Sequence, residues 1–150
     1  MNGAHPLGEG ATRVVRLEID SRLDHVELLG RAVRALCATS GVPARTCAHI
    51  ELALDEAVNN VIRHAYKGEP GHRVEVVYTL ADGRFTIDVI DEGTPMPERP
   101  TPTFDFDPTD VANLPEGGMG LFIIHSVMDH VEYASRDGRN ALTMSRRLAA

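Results

Sequence analysis

The chain has no tryptophan, and aromatic residues make up only 5% of its 150 positions. Its core must therefore be aliphatic, drawn from the Val, Leu, Ile, Ala and Met within a hydrophobic content of 43%. That content suffices for one domain with one good core. No apolar run approaches the roughly 18 residues of a membrane span, and the N-terminus lacks a signal-peptide apolar region, so a cytoplasmic protein without a membrane partner is expected. Basic residues are outnumbered, 15 against 22 acidic, for a net charge of −7. A direct nucleic-acid binder would need a basic patch against the phosphates, so that class is set aside, and partners with basic surfaces are favoured. Cys37 and Cys47 are two isolated thiols, expected to be buried small hydrophobes in a reducing compartment. The seven histidines form no His-Glu-x-x-His or Cys/His cluster, which argues against structural zinc.

The organising stretch is residues 50–65, IELALDEAVNNVIRHA, long enough for four helical turns and free of Gly and Pro. At helical spacing Ile50, Leu54, Ala57, Val58 and Val61 form a core stripe. Glu56, Asn60 and His64 recur every four residues and stack on a line bordering that stripe. Such a line is either the edge of burial or one wall of a site. Glu51, Asp55, Asn59 and Arg63 are expected on a solvated outer face.

The rest of the chain is read around this helix. Residues 1–10 are Gly-rich and unpatterned, a flexible N-terminal tail. Residues 12–19 alternate as a strand. A helix over 22–39, capped by Asp20 or Ser21 and closed by Gly41, carries Arg22, Arg31 and Arg34 outward. Val42-Pro43 opens the organising helix. Strands over 73–80 and 84–90 follow, joined at Asp82-Gly83. From 92 to 117 periodicity is lost and six of the nine prolines gather, as in a functional loop. Then come Gly117-Gly118-Met119-Gly120, a helix over 121–129, and two strands near 131–134 and 141–147.

Glycines directly before a helix let the backbone approach an anion, and the helix N-terminus offers free N–H groups and a positive dipole end. The run at 117–120 is neither a Walker loop nor a dinucleotide fingerprint, since no Gly-Lys-Ser/Thr follows and no strand precedes it. Asp91, ending a strand beside Gly93, is either a turn residue or an acceptor for an exocyclic amine such as that of adenine.

Taken jointly, Glu56/Asn60/His64, Asp91-x-Gly93 and Gly117-Gly118-x-Gly120 resemble the GHKL superfamily of histidine-kinase-like ATPases. Glu56-Ala57-Val58-Asn59-Asn60, His64-Ala65-Tyr66 and Gly117-Gly118-Met119-Gly120-Leu121-Phe122-Ile123-Ile124 narrow the resemblance to its anti-sigma-factor serine-protein kinases. The resemblance implies an α+β two-layer sandwich of Bergerat type, with a mixed, mostly antiparallel sheet on three helices, spanning residues 11–150 as one domain. It implies Glu56 as the catalytic carboxylate and Asn60 as the ligand of a Mg2+ ion on ATP. It implies Asp91 and Gly93 at the adenine, and Gly117, Gly118, Met119, Gly120 and Leu121 near the phosphates, with His64 and Thr143 at the nucleotide pocket. Residues 92–117 take the place of the ATP lid, although Pro95 replaces the superfamily's second glycine. The implied activity is an ATP-dependent serine kinase that phosphorylates an anti-anti-sigma antagonist and binds a sigma factor in partner switching, as a homodimer. The alternative is an ATP-binding switching module with little or no kinase activity.

Overall fold

The computed structural model describes residues 12–97 and 119–148. The expected N-terminal tail, most of the Pro-rich stretch, and Gly117 and Gly118 lie outside the described residues. Strand β1 (Arg13–Asp20) leads through a short 3-10 turn (Leu23–His25) into α1 (Val26–Ser40). Helix α2 (Ala44–Asn60) follows and widens into a π-helical turn over Val61–Ala65. Next come β2 (Arg73–Ala81), β3 (Arg84–Asp91), α3 (Met119–Val127), β4 (His130–Arg136) and β5 (Arg139–Arg147).

The five strands form one sheet in the order β1-β2-β3-β5-β4, and every pairing is antiparallel. The sheet is thus antiparallel throughout the described residues rather than mostly so. Two hairpins are closed by Asp-Gly pairs with positive φ at both positions, Asp82 and Gly83 (53° and 70°) and Asp137 and Gly138 (54° and 76°). That is the two-residue turn whose twist matches the strands it joins.

One face of the sheet alternates Val74, Val76, Tyr78 and Leu80 on β2 with Phe85, Ile87 and Val89 on β3, all essentially buried. The helices cover this face with Leu29, Val33, Ile50, Leu54, Val58 and Ile124. Tyr78 reaches through the layer to donate to the Leu29 carbonyl at 3.0 Å, so its one polar atom is satisfied in the core. Among the described residues no helix is long and apolar enough to cross a membrane.

Three expectations change, and a fourth holds with its arginines paired. Asp20 and Ser21 do not cap α1. The Ser21 hydroxyl donates to the Glu69 carbonyl at 2.6 Å and accepts from His72 N, while the Asp20 carboxylate accepts from Gly71 N, so both hold the turn between α2 and β2. Arg22, Arg31 and Arg34 do face outward, with Arg31 paired to Glu27 at 2.9 Å and Arg34 to Glu51 at 3.2 Å. Glu51 and Asp55 face α1 rather than solvent. Asp55 is pushed up to about 6, first by burial, then by repulsion from Glu51 and Glu56, with Arg34 opposing. Finally, Cys37 and Cys47 are free and buried but not isolated: they touch across the α1–α2 hairpin, where burial and the neighbouring thiol push the Cys37 thiol up.

Candidate functional site

Helix α2 is the wall from which the site is built. Glu56 and Asn60 sit one turn apart on the side of α2 that faces α3, both half-buried. Gly120, in the first turn of α3, lies directly against them. A Cβ placed there would fall 2.9 Å from Asn60 Nδ2, 3.0 Å from Glu56 Oε2 and 3.2 Å from Asn60 Oδ1. Any side chain at this position would push the ends of Glu56 and Asn60 aside. The fold thus brings Glu56, Asn60 and Gly120 together. Leu121 follows in the same turn and is half-buried.

His64 does not join them. Tyr66 N bonds to the Val61 carbonyl, five residues back, which is the π-type ladder. The extra residue in that turn breaks the four-residue stacking that would have carried the Glu56–Asn60 line on to His64, and His64 is exposed. The same turn places Ile62 in the core, at 1% exposure, while Val61 is only half-buried.

The second cluster lies where β3 ends. Asp91 is 5% exposed, and its Oδ1 accepts from Gly93 N at 2.9 Å and from Asn140 Nδ2 at 2.8 Å. Asn140 is the cross-strand partner of Asp91 on β5 and is itself 1% exposed. Gly93 packs against the π turn so tightly that a Cβ would lie 2.5 Å from the Ala65 carbonyl oxygen.

The segment leaving β3 is pinned residue by residue. Glu92 N donates to the Tyr66 hydroxyl at 2.8 Å, Gly93 N to Asp91, Thr94 N to the Ala65 carbonyl at 3.0 Å, and Met96 N to the Tyr133 hydroxyl at 2.8 Å. Pro95 has no N–H to satisfy. From 92 to 96 every main-chain donor is engaged, and proline stands at the one position where none is needed. Tyr66 also donates to the Arg73 carbonyl at 2.6 Å and stacks on His72, with ring centroids 4.6 Å apart. Burial is the first cause pushing both the Tyr66 and the Tyr133 hydroxyls up, and the charge of Asp91 adds to it.

Thr143 is not part of this cluster. Residues alternate faces along a strand, and Thr143 pairs with Asp88 on the face of the sheet away from the helices, donating to Asp88 Oδ1 at 2.6 Å. The residue that pairs with Asp91 across the strands is Asn140.

The residues fit a magnesium–nucleotide. Among the described residues no three His, Cys, Asp or Glu converge to hold a metal alone. Magnesium takes only one or two protein oxygens and completes its shell with phosphate and water, which suits the Asn60 carboxamide. The side-chain-free surface of Gly120 at a helix N-terminus suits phosphate, and the buried Asp91 suits an amine.

Comparison with known proteins identifies the family. Residues 19–146 match the family model of the histidine kinase-like ATPase domain. The chain is 27% identical over 128 residues to the serine-protein kinase RsbW of Listeria monocytogenes, covering 83% of this chain and 81% of that protein. It is 25% identical over 139 residues to the serine-protein kinase RsbW of Bacillus cereus, covering 85% and 81%. The crystal structure of the RsbU and RsbW domains of Rv1364c from Mycobacterium tuberculosis superposes with a TM-score of 0.67 at 19% identity. That match covers 92% of this chain but only 33% of the longer one, and it establishes the likeness of fold alone.

Proposed function

This chain belongs to the histidine kinase-like ATPase domain family, and from that premise we propose that it is an ATP-dependent serine kinase acting on an anti-anti-sigma antagonist protein. In its partner-switching cycle it holds a sigma factor once the antagonist has been phosphorylated. The observation that carries this reading is the convergence of Glu56 and Asn60 on Gly120 at the head of α3. The two serine-protein kinases to which the chain is similar support it.

When bound, magnesium-ATP supplies the phosphoryl group and neutralises its charge. The chain's own residues do the rest. Asn60 offers a carboxamide oxygen to the metal. The first turn of α3, which Gly120 keeps free of a side chain, presents main-chain N–H groups and a positive helix end to phosphate oxygens. Asp91 accepts from the adenine amine. Glu56 repels a triphosphate and so contributes nothing to holding it. Its place beside Asn60 makes sense as an acceptor for the proton of an incoming serine hydroxyl, an effect worth roughly 10²- to 10⁴-fold in rate. Phosphoserine then adds about two negative charges to the antagonist. Against a chain of net charge −7 this weakens docking and frees the surface for the sigma factor.

The test is incubation of the chain with ATP, magnesium and a candidate antagonist, followed by intact-mass measurement of the antagonist. Gain of one phosphoryl group on a serine supports the kinase. ATP binding without any such gain replaces it with a nucleotide-dependent switching module.

A further inference from the structure

We propose that Asn140 is the positioning residue that sets base specificity, by holding the Asp91 carboxylate in the orientation that leaves one of its oxygens open to the nucleotide. The inference rests on the reading of Asp91 as the residue that meets the adenine amine.

The amide of Asn140 is fully used. Its Nδ2 donates to Asp91 Oδ1 at 2.8 Å and to the Gly93 carbonyl at 2.9 Å, and its Oδ1 accepts from the Ser135 hydroxyl at 2.7 Å. Only one orientation of the amide satisfies all three. Turned over, its oxygen would face a carboxylate and a carbonyl, with no donor between them. The group is 1% exposed, so water cannot repair a wrong choice.

The consequence falls on Asp91. Gly93 N and Asn140 Nδ2 both bind the same oxygen, Oδ1. Among the described residues Oδ2 takes no hydrogen bond. The carboxylate is thus clamped by one edge, and the other is kept as an acceptor. Without Asn140 a single donor, Gly93 N, would hold it. The carboxylate could then rotate, and the Gly93 carbonyl would lose its partner. Because Asn140 also ties the Gly93 carbonyl, it fixes Asp91 and the backbone beside it as one unit.

The experiment measures affinity by calorimetry for ATP and for purine riboside triphosphate, which lacks only the six-amino group, with magnesium present. The wild-type chain should prefer ATP by roughly tenfold or more, the scale of one buried hydrogen bond to a charged acceptor. In Asn140→Ala the preference should fall to about one, with most of the lost affinity confined to ATP. Asn140→Thr and Asn140→Val have nearly the same shape, but only Thr keeps a donor. The Thr variant should retain more of the preference than the Val variant, and this pair decides the matter if Asn140→Ala does not fold. An unchanged ATP preference in Ala or Val variants that are folded by circular dichroism overturns the inference. So does an equal loss of affinity for both nucleotides, which marks a merely structural role. If the wild type itself shows no preference, the assignment of Asp91 fails first, and this inference fails with it.

Discussion

Gly120 of α3 and Asn60 of α2 are in contact across the helix layer, so close that a single added carbon at position 120 would lie 2.9 Å from the Asn60 amide. That contact has a direct consequence. Gly120→Ala should leave the fold intact, because alanine raises helix propensity by up to about 1 kcal/mol. Its methyl group must nevertheless displace Asn60 or Glu56. Magnesium-ATP affinity should fall roughly tenfold or more while the thermal midpoint changes little. Calorimetry alongside thermal melting checks both halves, and unchanged affinity removes the α2–α3 contact from the site.

Asn60→Ala removes the only side-chain oxygen proposed to meet the metal. Nucleotide affinity should drop in magnesium and change little in a chelator, so the two titrations converge. Persistence of the full magnesium dependence would exclude Asn60 as the ligand.

Much of this architecture was legible in the sequence, because it is local. Period-two alternation marks β2 and β3, Asp82-Gly83 marks the turn between them, and the apolar stripe of α2 is read correctly from Ile50 to Val58. Glu56, Asn60 and Gly120 carry a pattern that survives without structural knowledge. Asn140 was not legible. It looks like a hairpin residue until the pairing of β3 with β5 is known, and that pairing skips α3 and β4 in the chain. The face that Thr143 takes is hidden for the same reason, since the register between β3 and β5 decides it. His64 leaves the Glu56–Asn60 line because an i, i+4 argument assumes an unbroken α-helix, and nothing in VIRHA announces a π turn. The sequence places Glu51 and Asp55 on a solvated face because a helix seen alone has one buried face, whereas α2 also packs beside α1.

The pinned residues 92–96 make a prediction that differs from a uniformly mobile lid. The amides of Glu92, Gly93, Thr94 and Met96 should exchange slowly with or without nucleotide, since each already has a partner. Tyr133→Phe should selectively accelerate Met96, and Tyr66→Phe should accelerate Glu92. Fast exchange at all four in the nucleotide-free chain would contradict the hydrogen-bonded root.

Asp55 gives a pH test with a definite sign. Its folded value of about 6 lies above the roughly 3.9 of an unfolded aspartate. Between these values the folded chain holds a proton that the unfolded chain has released, so this group lowers stability as pH rises from about 4 to about 6 and then levels off. Asp55→Asn removes that decline. The variant should be the more stable above pH 6, by on the order of 1 kcal/mol after solvent screening, and should lose its advantage near pH 4. Melting curves of both proteins across pH 4–8 supply the difference. A wild type more stable than the variant at pH 7 would show Asp55 to be a favourable partner instead.

The most direct test of the central claim is phosphoryl transfer by Glu56→Gln beside the wild type, read by intact mass on the antagonist, with ATP affinity measured on the same preparations. Glutamine keeps the shape beside Gly120 and Asn60 but cannot take a proton from serine. The wild type should phosphorylate the antagonist. The variant should bind ATP as tightly or slightly more tightly, because a charge facing the phosphates is gone, yet transfer no phosphoryl group. Transfer by the variant at the wild-type rate would contradict the role assigned to Glu56 and, with it, the kinase mechanism built on the α2–α3 contact.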